Sequence, residues 1–459
     1  MRIVHVTVRN LKINTTLSFE MKMTINNHGY AHFVGIIDEE EEKNCAEYLL
    51  SRQWVTIEGI EEAGEKIVLF AGVIVHYSIE CINGLFTLDL ELSGGTVLLD
   101  VQKNTRTFQN VGLSYDELYG IVDNSAGARH LVLSGNGSIG KFTVQYEETD
   151  WEFIKRMASR KNTCVIPCYD DEKIQYYIGV GGKNARKTIE VSEYKKERIL
   201  NEYYYQSEEK TSEYGEINTS NYNFTSREFS KLGDKISLNG EKLYIYKVVS
   251  KFVGQELVNN YEARIIEGFQ VKTFENYTIV GASFDGIVTA VQKEHVQISM
   301  PTDVAGNSIW FDYATVYSSP DGAGWYCMPE VGDSIKLYCP SEDTQKAYVL
   351  NGVHINSNDR TEPTKKSWKN VFNKQIELSE DAIKITNNKG MTVILDDKKG
   401  ISIVSDKNIY IEGEQGVEIV SDTDSIVMEA PKKIKLEQGC NSVILNNEIS
   451  VTGSEVKLQ

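Results

Sequence analysis

The chain has 459 residues, enough for three or four domains, with 48 Lys+Arg against 66 Asp+Glu, a net charge of −18 and a pI of about 5.0. That acidic balance argues against a general nucleic-acid binder. Seven scattered cysteines (Cys45, Cys81, Cys164, Cys168, Cys327, Cys339, Cys440) suit a reduced compartment, no apolar run approaches a membrane span, and Met1–Val6 lacks the core of a signal peptide.

Residues 1 to about 110 are rich in strand patterns, at Ile3–Val8, Leu17–Met23, Trp54–Ile57, Ile67–Phe70 and Leu85–Leu90, and predict a small β-barrel or sandwich. The acidic run Asp38–Glu42 reads as a helix N-terminus favoured by the macrodipole, in preference to an acidic binding patch. Two capping boxes follow. Ser114/Glu117 opens a helix with Tyr115, Leu118, Ile121 and Val122 on one face, and Thr149/Glu152 opens another with Phe153/Met157 and Ile154/Ala158 as i, i+4 pairs. From Asn201 to Arg227 the chain is rich in Ser, Asn, Glu and Tyr and reads as an exposed excursion of a sheet, too acidic for base stacking. Leu232–Ile236 starts a further β unit running to about residue 270.

Residues 281–355 predict a compact five-stranded barrel, with strands at Phe284–Val291, Val296–Met300, Ser308–Val316, Asp333–Cys339 and Ala347–Val353. A polar linker, 356–375, leads into residues 376–459, which repeat with a period near eight. Apolar pairs recur at Ile383/Ile385, Val393/Leu395, Ile401/Ile403, Ile409/Ile411, Val417/Ile419, Ile426/Met428, Ile434/Leu436, Val443/Leu445, Ile449/Val451 and Val456/Leu458. Each flanks one residue, most often polar, and turn residues stand between pairs. The segment therefore reads as about ten short strands joined by tight corners.

Eight residues cannot complete a three-sided coil. One chain using three octads per coil would make a stub about 15 Å tall with open apolar ends, whereas three chains wound together would make a prism roughly 45–50 Å long. The second arrangement buries every pair against its symmetry mates and leaves few free strand edges, so an intertwined trimer is the expectation.

No catalytic constellation stands out. Cys164/Cys168 have a three-residue gap and no second Cys/His pair, so ordinary strand-turn cysteines are expected in place of zinc ligands. Gly179–Asn184 lacks the spacing of a phosphate loop, and Ser134 lacks the glycine two residues before it that a nucleophile elbow needs. Asp396-Asp397 sit at a corner of the repeat, where polarity needs no catalytic explanation.

Three local patterns resemble the hub–spike proteins of contractile injection machines, the VgrG family of type VI secretion and the matching baseplate proteins of contractile-tailed phages. Gln145-Tyr146, Glu148, Thr149 and Asp150 leading into Phe153, Ile154, Arg156 and Met157 look like the hub motif. Trp310-Phe311, Pro329-Glu330-Val331-Gly332-Asp333 and Tyr348–Val353 with Gly352 look like the OB-fold, and the octads look like the trimeric needle.

The resemblance implies a mainly β fold: tube-like hub β-barrels with a few helices (1–110 and 111–275), an OB-fold (281–355), a linker (356–375), and a C-terminal intertwined trimeric β-helix or β-prism needle (376–459). Its core would be Ile383, Ile385, Val393, Leu395, Ile401, Ile403, Ile409, Ile411, Val417, Ile419, Ile434, Leu436, Val443 and Leu445, with the tip at Leu458 and Gln459. It further implies a homotrimer whose six barrels meet a hexameric inner-tube protein, and contacts with baseplate wedge proteins. Cytoplasmic assembly, expulsion on contraction, and membrane puncture without enzymatic activity, cofactor, metal or nucleic acid would follow. A conical PAAR-type tip protein and non-fused effectors are compatible partners.

The chain departs from some relatives. No effector domain is expected behind the needle, the interval before the needle is too short for a lysozyme, and the last histidine, His354, argues against a histidine-held iron at the tip. A trimeric tail fibre or adhesin is the alternative, but it predicts a receptor-binding head behind the rod. A β-helix enzyme would need longer coils and a groove.

Overall fold

The computed structural model describes all residues except Met1, 182–186, 190, 192, 202–203, 205–215, 307, 353–359, 453–454 and 456–459. Tyr203, Tyr205, Gly182–Asn184, Val353, His354, Val456 and the expected tip residues Leu458 and Gln459 thus lie outside the described residues. The chain divides into two units, Met1–Ile355 and Asn356–Gln459.

The first unit opens with β1 (Ile3–Val8), β2 (Thr15–Thr24), β3 (Tyr30–Ile37), helix α1 (Glu39–Leu50), β4 (Trp54–Glu61), β5 (Lys66–Ile82) and β6 (Leu85–Gly94). Then come β7 (Lys103–Phe108), α2 (Tyr115–Ala126), β8 (Arg129–Val132), β9 (Thr143–Thr149), α3 (Asp150–Ser159), β10 (Val165–Pro167) and β11 (Gln175–Ile178). After these lie β12 (Lys187–Thr188), β13 (Tyr194–Arg198), β14 (Ser220–Ser226), β15 (Lys235–Leu238), β16 (Glu241–Val253) and β17 (Glu256–Arg264).

A single sheet runs β1-β4-β5-β6-β3-β2-β16-β17-β14-β13, with β15 and β12 branching from β16. The join is the antiparallel pairing of β2 with β16, from Lys247 opposite Thr24 to Lys251 opposite Glu20. In β2, Phe19, Met21 and Met23 point inward while Glu20 and Lys22 stay in water, the alternation a one-sided sheet requires. Residues of both halves meet in one core, Phe19, Phe33 and Leu90 with Ile245, Val248 and Tyr261. The two β-rich regions read from sequence therefore share one sheet.

The polar stretch read as an exposed excursion needs correcting where it is described. Within it, β14 is an interior strand between β13 and β17. Tyr222 and Phe224 alternate with Asn and Ser, stacking on Tyr194 at 6.3 Å and packing against Tyr261 at 5.2 Å. The polar residues between them masked a period-2 signal.

Both capping boxes form. The Glu117 amide donates to Ser114 Oγ (3.2 Å) and the Ser114 amide to Glu117 (2.8 Å); the Glu152 and Thr149 amides do the same at 3.1 and 2.9 Å. α1 carries four glutamates in its first turn, although Asp38 caps it with backbone alone.

β18 (Ser283–Gln292), β19 (His295–Ser299), β20 (Trp310–Tyr313), β21 (Ser334–Tyr338) and β22 (Tyr348–Gly352) close in the order β18-β19-β20-β22-β21. β20 and β22 run parallel, and each strand overlaps its expected position.

The second unit holds two antiparallel meanders. One is β23 (Lys366–Lys369), β24 (Gln375–Leu378), β25 (Ala382–Thr386), β26 (Thr392–Asp396) and β27 (Gly400–Val404); the other is β28 (Ile434–Gln438), β29 (Asn441–Asn446) and β30 (Glu448–Thr452). The stretch read as linker therefore contains a strand, β23. The pairs at Ile409/Ile411, Val417/Ile419 and Ile426/Met428 form no strand, contrary to the even row of ten. A lone chain can pair only with itself, and these pairs find no neighbour within it.

Candidate functional site

The hub motif sits where β9 leaves its partner β7 and enters α3. A bulge interrupts β7–β9 between Asn104 and Arg106, and opposite it Glu147 adopts φ +48°. Bulges of this kind re-aim the side chains beside them. Gln145 lies buried and donates from Nε2 to Asp150 Oδ1 (2.9 Å) and to the Glu148 carbonyl (3.1 Å). Arg106 Nη1 donates to Gln145 Oε1 (2.7 Å) and to Asp150 Oδ1 (2.5 Å), Asn104 Nδ2 adds a third donor to that oxygen (3.0 Å), and Ser125 Oγ reaches Asp150 Oδ2 (3.3 Å).

On α3, Arg156 is 2% exposed and grips Glu148 with two parallel bonds, Nε to Oε1 at 2.7 Å and Nη2 to Oε2 at 2.6 Å. Its Nη2 also donates to the Val144 carbonyl (2.7 Å). Glu275 lies 3.6 Å from Arg156 and accepts from Arg160 Nη2 at 2.9 Å. Burying such charges is tolerable only because nearly every lone pair and proton is answered. Phe153 stacks on Phe108 at 5.6 Å beneath this network.

The motif also binds the large sheet's half of the first unit to the barrel. Phe142 and Val144 belong to the barrel's own core, with Phe284, Val288, Ile298, Phe311 and Leu337. Phe142 meets Phe311 edge-on at 5.2 Å, Tyr146 meets Phe284 at 5.6 Å, and Thr344 Oγ1 donates to the Phe142 carbonyl. Gln109 Nε2 donates to the Ile298 carbonyl (3.2 Å), and Thr107 exchanges backbone bonds with Thr302 and Val304 (2.9 and 3.1 Å). β9 and the barrel cannot separate without opening a shared core.

The expected barrel residues fall at one turn and two strands. Pro329 to Asp333 form a turn in which the Glu330 amide donates to Asp333 Oδ2 (2.9 Å), and Gly332, at φ +97°, donates its amide to Val288 (2.8 Å). Trp310 opens β20 half in solvent, and Gly352 ends β22 opposite Ile335. Burial pushes the Cys164 and Cys168 thiols up to about 12, which makes them poor metal ligands.

Two histidines flank the motif with opposite titration. His28 packs on Trp151 at 4.9 Å and bonds Thr96 and Asp100, yet burial lowers its pKa. Burial also opposes charge on His130, but Asp123 (2.7 Å) and Asp116 (3.3 Å) outweigh it and raise its pKa. A raised histidine stabilises below its unfolded value of about 6.5 and loses that contribution as pH climbs through the folded value. The stability gap between the natural chain and His130→Gln, measured by urea unfolding, should therefore shrink as pH rises from about 5.5 to about 8.5.

In the second unit the register aligns the apolar pairs. One row is Trp368, Ile376, Ile385, Val393 and Ile403; the next includes Leu378, Ile383, Leu395 and Ile401. The other meander aligns Ile434, Leu445 and Ile449 beside Leu436, Val443 and Val451. These side chains are largely open: Ile401 is 72% and Ile403 58% exposed, and Ile409, Ile411, Val417 and Ile419 also lie in solvent. Val393, Ile434 and Val443 are half-buried.

Arg106, Asn104, Ser125 and Glu275 joined the hub network without any signal in local spacing, because they reach it from about twenty to over a hundred residues away. No helix among the described residues is long and apolar enough to cross a membrane.

Residues 284–354 match the family described as the type VI secretion system/phage-baseplate injector OB domain. Among solved structures, the fold is similar to the E. coli c3393 protein, a type VI secretion component described as similar to the T4 bacteriophage tail proteins gp27 and gp5. That match has TM-score 0.53 and 13% identity, over 76% of this chain and 100% of that one. It is also similar to Francisella PdpA-VgrG complexes, half-lidded (TM-score 0.51, 11% identity, 88% and 87% covered) and lidded (TM-score 0.52, 10% identity, 87% and 80% covered). No curated protein matches the chain significantly.

Proposed function

We propose that this chain, whose fold is that of the VgrG-like hub proteins, is a non-enzymatic hub and membrane-puncturing spike of a contractile injection machine. The first unit would meet a hexameric inner tube and baseplate wedge proteins. The second would braid with two copies of itself into a needle. A separate partner chain, carried as Francisella VgrG is seen with PdpA, would make the hub a vehicle for effectors, and a conical PAAR-type protein would cap Leu458 and Gln459.

The observation that carries this reading is the aligned apolar face of the second unit. Soluble monomers rarely leave so continuous an apolar surface in water, and the strandless stretch 405–433 leaves backbone groups that strands of other copies would satisfy. Mass photometry of the purified full chain tests it. A species of three times 51.8 kDa is expected, and a stable, folded single subunit would overturn the proposal.

A further inference from the structure

We propose that the outward face of β3, β6 and β5 carries a divalent transition-metal site built from His32, Asp89 and Glu91 and completed by His76. Strand register creates it. His32 stands opposite Glu91, and Glu91 stands opposite His76, so two imidazoles flank one carboxylate across three adjacent strands. Asp89, two residues before Glu91, shares its face and bonds His32 Nε2 at 2.9 Å. Ligand atoms of His32, Asp89 and Glu91 all lie within 4.8 Å of one another.

His76 owes its place to a bulge. Between Ile74 and His76 the strand gains a residue against β6: Ile74 pairs with the buried Leu92, while His76 pairs with Glu91. Without that extra residue, His76 would turn into the core. On the other side of His32 the same row continues with Glu20, which is already neutralised by Lys251 at 3.2 Å. Glu91 and His76 make no hydrogen bond or ion pair among the described residues, so the negative charge between the imidazoles is unanswered.

Directly opposed side chains have Cβ atoms about 4.5–5.5 Å apart, and imidazole and carboxylate ligands sit about 2.0–2.2 Å from zinc, so an ion beside Glu91 on the central strand β6 has one imidazole on each neighbouring strand to draw on. Mixed imidazole and carboxylate donors favour zinc, cobalt, nickel or copper over magnesium or calcium. The ion would clip β3, β6 and β5 together on the face opposite the core.

The test uses the full chain, stripped with chelator and with its thiols alkylated so that the exposed Cys81, Cys327 and Cys440 cannot compete. Zinc chloride is titrated by calorimetry, and cobalt chloride by visible absorption. One ion per chain is expected, with His32→Ala abolishing binding and the exposed His76→Ala and Glu91→Gln each weakening it about tenfold or more. Circular dichroism confirms that each variant is folded. The site does not exist if the natural chain binds no zinc at about 100 μM, or if His32→Ala and Glu91→Gln bind as it does.

Discussion

Ile403→Asp is expected to leave the purified chain single in solution. Ile403 lies on β27 opposite Val393, in the row that includes Ile385 and Ile376, and its side chain is open in one copy. If three copies close that row into a dry interior, one substitution places three carboxylates in a single layer. Each costs several kcal/mol to bury without a partner, so the sum is about 10 kcal/mol or more, against roughly 1.4 kcal/mol for each tenfold in association. Ser402→Asp is the matched control, since Ser402 lies between Ile401 and Ile403 on the opposite face, paired with Ile394. Mass photometry should find Ser402→Asp assembled and Ile403→Asp dispersed. An intact assembly of Ile403→Asp would remove that row from the interior.

Arg156→Met should destabilise the first unit by about 3–5 kcal/mol in urea unfolding. The change keeps most of the side chain's bulk but strands Glu148, whose two oxygens Arg156 holds at 2.7 and 2.6 Å, and strips a donor from the Val144 carbonyl. Glu275 would keep Arg160 at 2.9 Å. Adding Glu148→Gln removes the stranded charge, so the double variant should recover a large part of the loss; the coupling energy of the cycle measures the pair. A loss under about 1 kcal/mol for Arg156→Met would mean that the buried pair does not fasten α3 to β9.

Local chemistry made some of this legible in advance. Ser114/Glu117 and Thr149/Glu152 announced α2 and α3 because a capping box is complete within four residues. The barrel strands were readable because turns rich in Gly, Pro and Asp punctuate them. β3 was not seen: His32 and Gly35 interrupt its apolar run, and only pairing with β2 and β6 shows that Ala31, Phe33 and Ile37 face inward. β14 was misread for the related reason that its Asn and Ser outnumber its buried aromatics. In the hub network, Gln145, Glu148, Asp150 and Arg156 were visible as a motif, while Arg106 and Glu275 came from remote stretches that only folding brings close. The octads were plain as a repeat, but not which of them would pair within one chain: those in β24–β27 and β28–β30 do, while the three pairs between these meanders form no strand.

The pairing of β2 with β16 has a kinetic consequence. Five successive residue pairs tie the opening segment of the chain to a strand more than two hundred residues later, so neither half of the large sheet can be completed until most of the first unit has been synthesised. Hydrogen exchange should accordingly show amides of Met21 and Val248 gaining protection together and late, and losing it in one concerted opening.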